Sequence, residues 1–287
     1  MASPALRPLN RFAAPGLLLL ASLALYGGGL LPGRAFFYRD VMHYYWPTQA
    51  TRFALGGLPH WNPFHQGGLP FLADIHAGVF YPPNLLFAVF SFPTAYALLL
   101  VLHHFLGQLG LFVFLRRKGF EEPAALTGTL ALGLTGYMAG LGNFGPLVSG
   151  WTWTPWLLVV LQSQLFPLRR LAVLSLLIAA QLVSGDPQSA LYSALVAATY
   201  VAWFPGRKER LVALAGAGAL GLLLAGVQVF PALEVLAEST RGGSGVGYLA
   251  SWNLHPLRML EFLFPYPFGE YLGVPQFWAW FMVKGHG

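Results

Sequence analysis

The chain contains no cysteine, which excludes disulfides, thiolate metal ligands and a cysteine nucleophile. Charge is nearly as scarce. Only 9% of the 287 residues are Asp, Glu, Lys or Arg, and 10 are acidic. A chain with 56% hydrophobic residues and a mean hydropathy of +0.59 cannot cover its apolar surface with so few charges in water. The glycines do not form a Walker or Rossmann pattern in a strand–turn–helix context, so nothing points to a nucleotide-binding loop. Short alternating strands, the signature of a porin-like barrel, are also missing. What is present is a series of continuous apolar runs close to twenty residues long, the length that crosses about 30 Å of hydrocarbon. Because backbone polar groups in lipid must be satisfied within each segment, these runs predict an all-α integral membrane protein.

Seven spans are predicted, at Ala14–Leu31, Phe92–Leu115, Ala124–Gly142, Leu147–Phe166, Leu171–Ser184, Gln188–Phe204 and Leu211–Phe230. The first resembles a signal sequence but lacks a small-x-small cleavage site and reads as a retained anchor. The net charge of +6 and pI near 9.7 do not call for nucleic acid, because the cations sit at segment ends on alternating sides. Arg7 and Arg11 precede the first span. Arg116-Arg117-Lys118, Arg169-Arg170 and Arg207-Lys208-Glu209-Arg210 follow the second, fourth and sixth. Ten of the 16 Lys and Arg residues thus fall on one side, assigned to the cytoplasm. The resulting division is residues 1–32, a cytoplasmic N-terminus and first span; 33–91, an extracytoplasmic loop; 92–230, six spans; and 231–287, an extracytoplasmic C-terminal region. Trp151, Trp153 and Trp156 fall at the outer end of the fourth span, where interfacial anchors belong.

The loop after the first span concentrates polar chemistry, with two of the 10 acids and four of the 8 histidines. If the stretch from Asp40 to Gln49 is helical, Asp40, His43 and Tyr44 share a face of an interfacial helix. Asp40 there is either a general base toward an acceptor hydroxyl or a helix cap paired to Arg39. Asp74 and His76 form a second polar point that converges only in a loop conformation. Asp40, His43, Asp74 and His76 offer oxygen and imidazole donors for a divalent metal, though no dense ligand motif occurs. His103, His104 and Gln108 lie inside the second span; adjacent histidines cannot share one helix face. Beyond the seventh span, Arg241 and Arg258 are cations suited either to a lipid-linked phosphate or to headgroups. Residues 257–264 read as a second interfacial helix.

The order of these features resembles the YfhO-like bacterial membrane proteins, which belong with the GT-C glycosyltransferases. The resemblance runs from about Phe36 to Gly269. It rests on an early loop Asp40, Leu58-Pro59-His60-Trp61-Asn62-Pro63, Phe80-Tyr81-Pro82-Pro83-Asn84, Gly185-Asp186-Pro187-Gln188, and Pro231 to Glu234 and Ser239-Thr240-Arg241. It implies a seven-span GT-C module in the bacterial inner membrane that moves a sugar from a polyprenyl-phosphate donor to a cell-envelope acceptor. Asp40 would be the catalytic base, with Asp74 as a second catalytic acid residue. Arg39, His43, Tyr44, His76, Arg241 and Arg258 would bind substrate. Two departures stand out. Asp186 occupies the place of His in a Gly-His-Pro-Gln pattern, and family members continue through further spans, which implies an N-terminal fragment or a reduced protein. The alternatives from other classes are a carrier or flippase for lipid or small solute, and a non-catalytic membrane scaffold.

Overall fold

A computed structural model describes residues 12–38, 40–65, 67–203, 206–239, 256–264 and 267. The chain divides into two compact units, Met1–Leu233 and Glu234–Gly287. The first is built almost entirely of helices: α1 (Ala13–Tyr26), α2 (Trp46–Ala54), α3 (Leu86–Val89), α4 (Phe92–Arg117), α5 (Glu122–Gly133), α6 (Gly136–Leu141), α7 (Gly145–Leu161), α8 (Pro167–Val183), α9 (Pro187–Ala202), α10 (Arg207–Leu224) and the start of α11 (Gly226–Glu238). A two-stranded antiparallel ribbon, β1 (Trp61–Asn62) with β2 (Leu69–Pro70), lies in the loop between α1 and α4. In the second unit the described residues include a 3-10 helix, Pro256–Phe262, which overlaps the helix expected at residues 257–264.

Proline sets several helix starts. Pro93, Pro123, Pro146, Pro167 and Pro187 all stand in the first turn of their helices, where a missing N–H costs nothing. Two predicted spans are interrupted. The third breaks between α5 and α6, where Thr135 caps α6 by accepting a bond from Met138 N at 3.3 Å. The seventh breaks at Ala225, where α10 and α11 are bent by 78°. Two helical stretches, Ala13–Leu30 and Phe92–Arg117, are long and apolar enough to cross a bilayer, and a third is if α10 and α11 count as one span. Helices α7, α8 and α9 have 17, 17 and 16 residues. At 1.5 Å per residue each reaches roughly 25 Å, just short of the hydrocarbon thickness.

The surface differs from that of a water-soluble bundle, and the apolar core also holds polar side chains. Leu176, Leu191, Leu195, Leu222 and Leu223 on α8, α9 and α10 are exposed. His103, His104, Gln108, Thr152, Gln181 and Ser193 are buried between helices. Of the longer helices, α4 packs chiefly on α7, and α8 on α10. Small residues allow the α4–α7 approach: a Cβ on Gly107 would lie 2.2 Å from Trp151, and one on Gly110 2.8 Å from Trp156. Trp151, Trp153 and Trp156 are therefore half-buried packing residues rather than an outward belt. Trp156 donates to Leu106 O at 3.0 Å, and Trp153 donates to the Tyr81 hydroxyl at 3.1 Å.

Buried polar bonds tie the helices together. A carbonyl can only accept, so His104 donates from Nε2 to Gly133 O at 2.9 Å, leaving Nδ1 to accept from Gln108 Nε2 at 3.0 Å. Gln108 also donates to Ser22 Oγ at 3.1 Å, so α1, α4 and α5 share one network. Gln181 plays the same part for α7, α8 and α9, donating to Gly150 O at 2.9 Å and to Ser193 Oγ at 2.6 Å.

The two ends of the bundle differ in chemistry. At one, Arg117 reaches Val159 O at 3.4 Å, Arg170 caps Ser163 O at 3.0 Å, and Lys118 lies 4.6 Å above the Tyr200 ring. At the other, the loop between α1 and α4 meets the α6–α7, α8–α9 and α10–α11 junctions. Tyr96 Oη donates to Gly142 O at 3.1 Å and accepts from Gly145 N at 2.9 Å. His76 bonds Gly185, and Gln228 donates to Leu72 O at 2.5 Å. The connections with basic clusters and those without them thus gather at opposite ends.

Candidate functional site

The loop end owes its shape to a few buried side chains. A single π-helical turn, Val41–Tyr45, leads into α2, whose N-terminal Trp46-Pro47 favours a helix start. Gln49 and Arg52, three residues apart on α2, point inward and are 6% and 4% exposed. Gln49 Nε2 donates to Ala77 O at 2.8 Å, and Arg52 Nη2 donates to Val79 O at 2.7 Å. Asn84 donates to Gly78 O at 2.9 Å. These bonds secure Ala77–Val79 although that strip has no regular partner strand. No carboxylate pairs with Arg52 among the described residues, and burial lowers its pKa.

Tyr44 and Tyr45 stand at the centre. Tyr44 donates its hydroxyl to Asp74 Oδ1 and is flanked by the rings of His65 at 5.7 Å and His76 at 6.1 Å. Its ionisation is pushed well above the usual tyrosine range, first by burial and then by the Asp74 charge. Tyr45 is also pushed up, first by burial and then by Asp40, Asp186 and Asp74. Three carboxylates from three separate segments thus act electrostatically on one hydroxyl.

Asp74 and His76 do not converge on a common point. Asp74 is extended between two short 3-10 turns, Phe71–Ala73 and Ile75–Ala77. It faces Tyr44, whereas His76 Nδ1 bonds Gly185 O at 2.6 Å. Gly185 has φ +104°, and a Cβ there would lie 3.2 Å from His76 Cα, His76 O and Ile75 O. Only glycine fits a turn pressed so closely on the loop. The next residue, Asp186, is 5% exposed and caps α9, accepting from Ser189 N at 3.0 Å and from the Ser189 hydroxyl.

Between loop and bundle lies a cavity of about 30 Å³. Tyr45, Gln49, His76 and Asn84 line it from the loop, with Tyr96 and Ser149 among the residues on the helix side. Below it, Tyr81 donates to His103 Nε2 at 2.5 Å, while His103 Nδ1 donates to Leu99 O at 2.7 Å. The two adjacent histidines thus serve different interfaces, His103 toward Tyr81 and His104 toward α1 and α5.

Of the predicted site residues that are described, only His76 lines this cavity; Tyr44 and Asp74 bond each other in the same loop, beside the lining residues Tyr45 and His76. Asp40 is half-buried and acts electrostatically on Tyr45 and Tyr96, both of which line the cavity. His43 is exposed. Arg39 and Arg241 lie outside the described residues. Arg258 lies in the second unit's 3-10 helix, and its side chain is outside the described part. Among the described residues, no group of three or more His, Cys, Asp or Glu side chains is arranged to hold a metal ion. Sequence reasoning gave no role to Tyr45 and Gln49, which carry no motif, or to Asn84, which it noted only as the end of Phe80-Tyr81-Pro82-Pro83-Asn84. Asp186 was legible as an Asp–Pro helix start, but its nearness to Tyr45 was not. Comparison of the chain with protein-family models, curated proteins and solved structures found no match.

Proposed function

We propose that this protein is a membrane glycosyltransferase that moves a sugar from a polyprenyl-phosphate donor to an extracytoplasmic acceptor at the loop end of its bundle. One observation carries this reading: a cavity opens between loop and helices beside Tyr45, a tyrosine on which Asp40, Asp74 and Asp186 all act electrostatically. A scaffold needs no such opening. Asp40 takes the proton of the acceptor hydroxyl as its oxygen bonds to the anomeric carbon, and the bond to phosphate oxygen breaks with its electron pair.

The exposed leucines on α8, α9 and α10 and the buried polar network support seven crossings, with α5–α6 and α10–α11 as interrupted spans. The basic end faces the cytoplasm on the positive-inside rule, and the cavity faces outward. The test is sugar transfer in vesicles containing a polyprenyl-phosphate hexose. Asp40→Asn is expected to lower transfer about 10²–10⁴-fold with unchanged thermal stability. Full transfer by that variant overturns the base assignment.

The 78° break between α10 and α11 favours a second reading, a lipid or small-solute carrier, because transporters place binding sites at interrupted helices. Movement of the lipid-linked hexose across vesicles without its consumption supports that alternative.

A further inference from the structure

We infer that the cavity beneath the loop is a binding site for a neutral hydroxyl group, held by His76 Nε2 and Gln49 Oε1, and that it excludes anions. On the glycosyltransferase reading, on which this rests, it takes the acceptor sugar alcohol and not the donor phosphate.

Hydrogen-bond bookkeeping fixes both groups. Gly185 O cannot donate, so His76 Nδ1 carries the hydrogen of that bond. In the neutral ring Nε2 is then a bare lone pair, the pattern in which a backbone carbonyl sets the tautomer and frees the other nitrogen. Among the described residues His76 Nε2 has no hydrogen-bond partner, and the side chain lines the cavity while remaining open to solvent. Gln49 is constrained in the same way. Its Nε2 must face Ala77 O, so the acceptor Oε1 is on the other side, buried and without a partner. A buried acceptor left unpaired is costly, and Gln49 lines the same cavity as His76.

Two vacant acceptors require a ligand that donates, and a hydroxyl group does. The electrostatics agree. No Lys or Arg is among the described lining residues, and Asp40, Asp74 and Asp186 lie close enough to act on Tyr45 at the wall. A phosphate placed here would face two lone pairs and the field of the nearby carboxylates, with no cation among the described lining residues to offset them. Size narrows the class further. A volume of about 30 Å³ holds two or three waters or one hydroxymethyl arm, so a sugar ring must remain at the mouth.

The test uses the full chain in nanodiscs, labelled with ¹⁵N-histidine and titrated in mildly alkaline buffer with methyl glucoside and, separately, with inorganic phosphate. The expected result is a His76 Nε2 without hydrogen, whose resonance moves saturably toward smaller shift with the glucoside and stays unmoved with phosphate. Gln49→Leu is expected to weaken the glucoside titration about tenfold. A hydrogen on Nε2 in the unliganded protein overturns the inference, and that measurement needs no variant to fold. So does a response to phosphate alone, or an unchanged titration in a folded Gln49→Leu protein. A protein that binds glucoside at His76 yet transfers no sugar in vesicles supports the hydroxyl site and overturns the transferase reading. Transfer without any response at His76 does the reverse.

Discussion

Replacing Gly185 with alanine tests the clamp that joins the α8–α9 turn to the loop. Two costs add. At φ +104° an L-residue occupies a sparsely allowed region at about 1–3 kcal/mol. The new Cβ would also sit 3.2 Å from three backbone atoms of Ile75 and His76, which cannot swing aside as a flexible side chain can. Overpacking of that kind costs about 1–3 kcal/mol. A total near 3–4 kcal/mol corresponds to a fall in Tm of about 6–16 °C, at roughly 2–4 °C per kcal/mol for a chain of this size class. Gly206 supplies the control. It has φ +72° but no atom within 4 Å of its would-be Cβ, so Gly206→Ala carries only the conformational cost of about 1–2 kcal/mol. Thermal unfolding of both variants in the same nanodiscs gives the comparison. The Gly185 variant should lose at least twice as many degrees and, in ¹⁵N-histidine spectra, its Nδ1–H bond at His76. Equal losses in the two variants, with the His76 spectrum unchanged, would refute the tight docking of Gly185 on the loop.

Two more outcomes follow from the site. Tyr44, Tyr45 and Tyr81 all have ionisation raised by burial above the ordinary value of 10.0. Below that pH both folded and unfolded states keep their protons and the stabilisation is complete. Above it the unfolded tyrosines ionise first, so the folded state holds more protons and stability falls as pH rises. Tm should therefore drop from about pH 10 upward, and Tyr45→Phe should flatten the slope; a slope equal to that of the unsubstituted protein contradicts the burial. Tyr81→Phe strands the buried His103 Nε2 and the Trp153 indole N–H, for about 1–3 kcal/mol each. Tyr192→Phe, at an exposed hydroxyl bonded by Gln188 at 2.6 Å, should stay within about 0.5 kcal/mol in the same denaturation assay.

Helix positions were largely legible from residue pattern. Phe92–Leu115, Leu171–Ser184 and Gln188–Phe204 correspond to α4, α8 and α9 within a few residues, because long apolar runs opened by proline leave few other structures open to them. The breaks were less legible. Leu134-Thr135 and Ala225 sit in apolar sequence, and what marks them is a cap geometry and a buried Gln228 drawn to the loop carbonyl of Leu72. The tryptophans at 151, 153 and 156 read as a belt because composition carries no direction; Gly107, Gly110 and Tyr81 turn them inward.

Composition and charge spacing by themselves determined the helical, apolar character of the chain and which connections share an end. These are properties of residues near in sequence, set by hydropathy and by Lys and Arg counts. Which loop residues form the site was decided only in three dimensions. Asp186 acts on Tyr45 together with Asp40 and Asp74 of the loop, and Gly185 orients His76 from 109 residues away. Such pairings depend on side-chain direction and on the close fit of one glycine turn, and no local pattern encodes either.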